Sequence, residues 1–285
     1  MSADSLPAGL PAGTTVAGLL ELAERVAREA GVLIETERPA LLGVAMTKSS
    51  PTDVVTEMDQ ASEALLRARL AAARPDDGLH GEEQGRRPGS SGLTWVVDPI
   101  DGTVNYLYGL PAYAVSVAAV VGDSSVAGGW RPVAGCVHNP ASGETWTAGA
   151  GLGAYLDGER LQAGPPPVLA QALIATGFGY FSGRRAAQSR VLATLLPRVR
   201  DIRRVGCAAM DVCMVATGRV DGYYERGLHA WDLAAAMLVA TEAGVAVRGI
   251  DGVPAQEHMV VAARPPLVDA LVEQLEALGA GADDD

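Results

Sequence analysis

Basic residues are scarce in this sequence and form no long run. Among its 285 residues, 22 are Lys or Arg and 34 are Asp or Glu, which gives a net charge of −12. Proteins that bind nucleic acid through its phosphate backbone use clustered Lys and Arg, so we expect no nucleic-acid partner. The excess of carboxylates is either a solubilising surface or, for some of its members, a set of ligands that converges on cations.

Long hydrophobic runs and paired cysteines are also missing. The longest apolar stretch, around Tyr113–Val121, is less than half as long as the twenty or so residues of a membrane helix. The three cysteines, Cys136, Cys207 and Cys213, cannot all pair within the chain and have no zinc-ligand spacing. The first residues do not resemble a signal peptide. We therefore expect a cytoplasmic protein with reduced thiols and no membrane partner.

Hydrophobic residues make up 48% of the chain, which is enough for a sizeable core. Apolar periodicity predicts a helix that is capped by Thr14 or Thr15 and runs to about residue 36, and a second helix from about 58 to 73. Residues 93–161 contain short β-prone runs, which we interpret as neighbouring antiparallel strands with a tight turn at Asp157-Gly158. Beyond the prolines at 165–167, strands and helices alternate, which predicts a partly parallel sheet covered by helices.

Two carboxylates stand close together in the stretch Asp98-Pro99-Ile100-Asp101-Gly102. The residues before Asp98 are β-prone, and Pro99 fixes φ, so we predict that the strand ends there and the chain turns. If the turn brings Asp98 and Asp101 to one side, their charges repel, and a cation between them removes the conflict. By itself such a stretch is equally well explained as an ordinary turn with a strand-end cap.

Two further acidic segments favour a cation site. Glu82-Glu83 is flanked by glycines just before the same strand, although alone it would be read as a solvated loop. Asp232 follows Trp231 at the start of an apolar helical run, where an N-cap aspartate is the simplest interpretation. Four or five carboxylates at the ends of elements suit a hard ion such as Mg²⁺. His and Cys are absent from these segments, which counts against zinc.

Three segments together resemble the three signatures of the inositol monophosphatase family, in order and at family spacing. They are Gly81-Glu82-Glu83, Trp95–Asn105 and Trp231–Ala236. The resemblance extends from about residue 15 to 275. It implies a mixed α+β and α/β architecture, a layered αβαβα sandwich of the inositol monophosphatase and fructose bisphosphatase type. We expect an N-terminal α+β domain, residues 1–163, with the antiparallel sheet and most metal ligands, and a C-terminal α/β domain, residues 164–285, that completes the site.

The resemblance also implies roles for individual residues. The implied ligands of two or three Mg²⁺ ions are Glu82, Asp98, Asp101, Asp232 and the backbone carbonyl of Ile100. The implied catalytic residues are Glu82, Thr103 and Asp59: Glu82 and Thr103 would orient the attacking water, and Thr103 would be hydrogen-bonded to Asp59. The backbone amides of Gly102 and Thr103 would hold the phosphate. The implied contacts to substrate hydroxyls are Asp101, Asp232, Glu225 and the backbone at Gly206, Cys207 and Ala208.

The expected reaction is hydrolysis of a small phosphate monoester by a metal-activated water, with myo-inositol monophosphate as the substrate. Gly102-Thr103-Val104-Asn105 resembles the inositol-phosphate branch, whereas relatives acting on histidinol phosphate commonly show Thr-Arg-Ser after the Asp-Gly pair. Cys207 departs from the family, which more often has Ser or Thr. The alternatives are a histidinol-phosphate or another sugar-phosphate phosphatase, and a regulatory binding protein on the same scaffold. The family also implies a homodimer and lithium sensitivity.

Overall fold

The computed structural model describes residues 9–40, 42–51, 53–162 and 164–282. The helices in these ranges are α1 Val16–Thr36, α2 Glu57–Ala73, α3 Thr103–Tyr108, α4 Ser182–Leu195, α5 Ala208–Thr217, α6 Ala230–Glu242 and α7 Leu267–Ala277. The strands are β1 Met46–Thr47, β2 Val54–Val55, β3 Gly78–Gly81, β4 Gly85–Arg87, β5 Leu93–Asp101, β6 Ala114–Gly122, β7 Trp130–His138, β8 Thr145–Gly149, β9 Gly153–Leu156, β10 Glu159–Arg160, β11 Leu173–Thr176, β12 Asp201–Arg203, β13 Gly222–Glu225, β14 Ala246–Arg248 and β15 Val260–Ala263.

An eight-stranded sheet occupies the first half of the chain, in the order β10-β9-β8-β7-β6-β5-β3-β4. Strands β5 to β8 pair antiparallel with their sequence neighbours, as predicted. Strand β3 runs parallel to β5 and was not predicted, because a four-residue segment with two glycines has no hydrophobic period. The tight turn at Asp157-Gly158 is confirmed: both residues have positive φ, and they join β9 to β10.

The prediction that the chain turns away after Asp98 is wrong. Strand β5 continues to Asp101, and its pairing with β6 is interrupted between Asp98 and Asp101, where the register shifts before Asp101 pairs with Ala114. This irregularity accommodates Pro99, which has no N–H to donate to the neighbouring strand. Both aspartates therefore stay on the sheet, and Gly102 starts the next element at φ +91°.

The second sheet has five strands in the order β12-β11-β13-β15-β14. Strand β11 is parallel to both β12 and β13, whereas β15 is antiparallel to β13 and β14. The predicted mixture of parallel and antiparallel pairing is therefore confirmed. Strand β14 was missed because it has only three residues, and none of them is fully buried.

Helices and sheets form five layers, as the resemblance implied. Helices α1 and α2 cover one face of the eight-stranded sheet, and α5 and α6 lie on its other face. The five-stranded sheet packs against α5 and α6, and its outer face carries α4 and α7. Helix α6 is buried on most sides, which explains its nearly continuous run of Ala, Leu and Val. The order is therefore an αβαβα sandwich.

The division into two domains at residues 163 and 164 stays a prediction. The two sheets lie on either side of that boundary in sequence, but α5 and α6, which follow it, pack on the sheet that precedes it. Among the described residues, no helix is both long and apolar enough to span a membrane.

Candidate active site

Three carboxylates meet at the end of β5 and the start of α6. Asp98, Asp101 and Asp232 each offer one oxygen, and these oxygens all lie within 4.8 Å of one another. Asp98 and Asp101 are 1% and 8% exposed, so little water surrounds either charge. The register shift in β5 brings its two aspartates together, and the layering of α6 on the sheet adds Asp232.

Burial and mutual repulsion favour protons on these acids unless a cation is present. Burial, together with the charges of Glu82, Asp101 and Asp232, raises the pKa of Asp98 well above its ordinary value. Burial and the charges of Asp101 and Glu82 do the same to the pKa of Asp232. Glu82 lies in hydrogen-bonding contact with Asp98, and burial raises the pKa of Glu82 as well. A divalent ion would relieve this repulsion.

Asp101 accepts hydrogen bonds from residues at the start of α5. The Ala209 amide donates to Asp101 Oδ2 at 2.6 Å, and the Cys207 thiol donates to the same oxygen at 3.2 Å. Burial raises the pKa of Asp101, and these two donors partly oppose the rise. Cys207, where the family more often has Ser or Thr, thus makes a side-chain contact with Asp101, although a thiol is a weaker donor than a hydroxyl.

Thr103 and Asp59 are also brought together. Thr103 Oγ1 lies 3.0 Å from Asp59 Oδ1 and 3.0 Å from the carbonyl oxygen of Ile100. Asp59 belongs to the capping box of α2: the Thr56 amide and hydroxyl donate to Asp59 Oδ2 at 2.7 and 2.5 Å. Burial raises the pKa of Asp59 to about 6, although these hydrogen bonds act in the opposite direction. Asp59 is therefore a fixed proton acceptor beside Thr103.

Asp232 also helps to cap the start of α6. The helix begins at Ala230, two residues earlier than predicted, so Asp232 is its third residue and not its N-cap. Its Oδ2 accepts a 2.6 Å hydrogen bond from the His229 amide, which closes a capping box. His229 stacks on Trp231 at 4.6 Å between ring centroids. One oxygen of Asp232 thus anchors the helix, while the side chain takes part in the acidic cluster.

A cavity of about 490 Å³ opens over these acids. It is lined by predicted site residues from both halves of the chain: Glu82, Asp98, Ile100, Asp101, Gly102, Thr103, Gly206, Ala208, Glu225 and Asp232. The Tyr223 hydroxyl donates to Glu225 Oε2 at 2.6 Å, and burial raises the pKa of Glu225 to about 7. Most residues expected around metal and substrate therefore share one cavity, whereas Cys207 and Asp59 are fully buried and do not line it.

Some residues at this cavity were missed or underrated in the sequence. From the sequence, Lys48 could either face the substrate or the metal-site carboxylates or lie on the surface; its Nζ lies 2.7 Å from Glu82 Oε1 and 2.6 Å from Glu83 Oε1. The Asn105 amide donates to the carbonyl oxygens of Ala112, 2.7 Å away, and Val205, 2.9 Å away, and so joins α3 to the loop before Gly206. Nothing in the sequence marks these long-range contacts, since each partner is a backbone carbonyl or lies far along the chain.

Comparisons of the sequence with known proteins show which family the chain belongs to. A family model described as the inositol monophosphatase family matches residues 16–280. The chain belongs to the inositol monophosphatase family. A Mycobacterium leprae protein named inositol-1-monophosphatase is 45% identical over 276 residues, which cover 90% of this chain and 92% of the relative. A Vibrio cholerae protein named Nus factor SuhB is 34% identical, over 92% of this chain and 97% of the relative.

Solved structures give the same family fold. The structure titled Mycobacterium tuberculosis SuhB matches with a TM-score of 0.78 and 41% identity, over 94% of this chain and 100% of that one. The cluster is built of oxygen donors alone, Asp98 and Asp101 are buried and Asp232 is half-buried, and the three charges repel one another, so these residues fit a hard divalent cation.

Proposed function

We propose that this chain is a Mg²⁺-dependent phosphatase that hydrolyses myo-inositol monophosphate to myo-inositol and phosphate. The observation that carries the proposal is the acidic cluster of Asp98, Asp101 and Asp232 at a cavity that Thr103 also lines, with Thr103 hydrogen-bonded to the buried Asp59. An isolated acidic patch would need no such hydroxyl–carboxylate pair beside it. The combination supports phosphate-ester hydrolysis over simple cation binding.

The metal ligands we propose are Glu82, Asp98, Asp101, Asp232 and the carbonyl oxygen of Ile100, for two or three Mg²⁺ ions. When bound, such ions lower the pKa of water and neutralise charge on the phosphate. The amides of Gly102 and Thr103 would hold the phosphate. Gly102 is required there because a Cβ would lie 2.9 Å from the Ala112 carbonyl oxygen, and its φ of +91° disfavours other residues.

Thr103 and Asp59 would handle the proton of the attacking water. With its own hydrogen donated to Asp59 Oδ1, Thr103 Oγ1 has lone pairs left to accept a hydrogen bond from that water. Asp59, whose pKa burial raises to about 6, is matched to accept a proton near neutral pH. Glu82 would orient the water from the other side.

The substrate hydroxyls would contact Asp101, Asp232, Glu225 and the backbone at Gly206, Cys207 and Ala208. Glu225 lines the cavity from β13 of the second sheet, whereas Asp98 and Asp101 line it from β5 of the first. Contacts from both sheets would enclose a small polyol more fully than a flat or extended substrate. This supports a cyclic polyol phosphate as the substrate class.

A phosphate-release assay with Mg²⁺ tests the proposal. We expect faster release from inositol 1-phosphate than from histidinol phosphate, and the reverse ranking would assign the chain to the histidinol-phosphate or another sugar-phosphate reaction. Asp101→Asn should lower the Mg²⁺-dependent rate about 100-fold or more, since disturbing even the outer partners of metal ligands costs 10–100-fold. Asp269→Asn, on the outer helix α7, is the control and should leave the rate unchanged. Full activity of Asp101→Asn would refute the site.

A regulatory role on the same scaffold is the second candidate. Its support is the name Nus factor SuhB of the Vibrio cholerae relative. The two candidates differ in turnover: a purely regulatory protein would release no phosphate from any ester in the panel at saturating Mg²⁺. Measurable wild-type turnover that Asp101→Asn abolishes would favour the enzyme.

A homodimer, inhibition by lithium and a cytoplasmic location are further parts of the proposal. Exposed apolar side chains that could support a dimer include Tyr108, 77% exposed, and Leu110, 53% exposed. Light scattering measures the oligomeric state, and a lithium titration of phosphate release measures the inhibition. A monomer at micromolar concentration would contradict the proposed homodimer, and turnover unaffected by lithium would contradict the proposed inhibition.

A further inference from the structure

The turn that carries Glu82 and Glu83 is held by a buried carboxylate from a different element. Glu63, on α2, is 0% exposed. Its Oε2 accepts a hydrogen bond from the Glu83 amide at 2.7 Å, and its Oε1 accepts one from the Gln84 amide at 2.9 Å. One carboxylate therefore fixes two successive peptide groups immediately after Glu82.

Arg67, four residues after Glu63 on α2, also contacts the segment that carries Glu82 and Glu83. Its Nε donates to Glu63 Oε1 at 2.7 Å, and its Nη2 donates to the Gly85 carbonyl oxygen at 2.5 Å. Glu63 and Arg67 together thus bind the amides of Glu83 and Gln84 and the carbonyl oxygen of Gly85. Because the two side chains stand at positions i and i+4, the helix sets their spacing.

Gly81 allows this close approach. A Cβ at position 81 would lie 2.4 Å from Glu63 Oε1, so a larger residue cannot be accommodated without moving the carboxylate. Gly81 is the last residue of β3 and directly precedes Glu82. The glycine before Glu82 and the amides after it are therefore both matched to Glu63.

A buried ion pair is a weak source of stability, because desolvation offsets most of the attraction. Here the Glu63 carboxylate accepts hydrogen bonds from the backbone beside Glu82. Glu82 in turn contacts Asp98 in the acidic cluster. We propose that Glu63 is a positioning residue: through the amides of Glu83 and Gln84, it holds Glu82 in the orientation needed to bind a divalent cation. This inference rests on the proposed metal site.

The test compares Glu63→Gln with a matched control. Gln keeps the size of Glu but turns an NH₂ group toward donors, so one amide or Arg67 loses its acceptor. The control is Asp77→Asn: Asp77 is 2% exposed and accepts from Arg74 at 2.8 Å, Ser91 at 2.7 Å and the Trp95 indole at 2.9 Å. Asp77 precedes β3 and Glu82 follows it, so the two lie at opposite ends of that strand.

Calorimetric Mg²⁺ titration and the Mg²⁺-induced rise in Tm are the readouts. We expect Glu63→Gln to weaken Mg²⁺ affinity by about 10–100-fold, with kcat at saturating Mg²⁺ much less affected. Asp77→Asn should lose comparable stability and keep wild-type Mg²⁺ affinity. If Glu63→Gln does not fold, Arg67→Lys, which loses the two-pronged contact and keeps the charge, should weaken Mg²⁺ affinity several-fold.

If Glu63→Gln folds and binds Mg²⁺ with wild-type affinity, the inference is overturned. If Glu63→Gln does not fold, wild-type Mg²⁺ affinity in Arg67→Lys overturns it instead. Equal losses of affinity in Glu63→Gln and Asp77→Asn would also overturn it, because loss of stability would then account for both. A wild-type protein that binds no Mg²⁺ and releases no phosphate would instead overturn the proposed function on which the inference rests.

Discussion

At the scale of single residues, Asp211 shows how burial and neighbouring negative charges together set the charge state of an acid. It lies on α5, is 1% exposed, and neither of its carboxylate oxygens has a hydrogen bond of regular geometry among the described residues, although the Gly206 backbone lies close enough to affect it. Burial and the negative charges of Glu225 and Asp101 raise its pKa to about 8, against the smaller opposing effects of Arg204 and the Gly206 backbone. Near neutral pH, Asp211 therefore carries a proton in the folded protein.

Asp211→Asn should make stability less dependent on pH. The unfolded chain releases the Asp211 proton near pH 4, whereas the folded protein keeps it up to about pH 8. The stabilising contribution of this group is thus largest at low pH and is lost as the pH rises toward 8. Relative to wild type, Asp211→Asn should gain roughly 1 kcal/mol of unfolding free energy per pH unit across that window.

Urea unfolding at pH 5, 6.5 and 8 measures the difference. Asp76→Asn, at an exposed position, is the control for the loss of one carboxylate from the chain. A constant offset from wild type for Asp211→Asn would mean that Asp211 titrates normally in the folded state.

At the scale of elements, capping residues fix where the helices begin. Thr15 caps α1 by accepting a hydrogen bond from the Gly18 amide at 3.1 Å, and Thr56 caps α2 through its box with Asp59. Both starts were predicted within a residue or two, because a cap and an apolar stripe are local signals. Strands β3, β4, β9, β10 and β14 were missed because each has two to four residues and depends on a neighbouring strand for its hydrogen bonds.

Thr15→Ala should destabilise the protein by about 1 kcal/mol, since one amide at the start of α1 loses its acceptor. For a protein of this size that loss lowers Tm by about 2–4 °C. Activity should be unchanged because α1 lies in the outer layer, away from the cavity. Thr36→Ala, at the other end of the same helix, is the matched control for calorimetry and should shift Tm by less. Equal shifts for the two variants would contradict the capping role.

At the scale of the whole molecule, the middle layer connects the two sheets. Helices α5 and α6 pack on the eight-stranded sheet and on the five-stranded sheet within one hydrophobic cluster. The approach is close at Gly135 on β7, where a Cβ would lie 2.9 Å from the Ala235 Cα. The proposed domains at residues 1–163 and 164–285 therefore share their core, and neither sheet can lose this layer without exposing apolar surface.

Both sheets should therefore unfold together. In hydrogen exchange with increasing denaturant, peptides from β5–β8 and from β13–β15 should lose protection in one transition. Gly135→Ala should lower that shared transition by about 1–3 kcal/mol, because the added methyl displaces α6 from the sheet. Val32→Ala, an exposed position on α1, is the control and should cause little change. Separate transitions for the two sheets would show that the domains are independent.

The sequence by itself determined the long amphipathic helices, the antiparallel run of strands and the residue types of the site. These features rest on local periodicity, capping and motif spacing, which neighbouring residues specify among themselves. It also indicated an oxygen-ligated cation site, because carboxylates recur at the ends of elements without His or Cys.

Only the tertiary structure decided which acids meet and what holds them. Asp98 and Asp232 are 134 positions apart in the sequence, and packing of α6 on the sheet places their oxygens together. Within β5, the interrupted pairing with β6 keeps both aspartates on the sheet, where local reasoning from Pro99 predicted a turn. The contacts of Lys48 and Glu63 depend on the same layering. Such contacts lack a local signature because their geometry comes from the packing of elements that are distant along the chain.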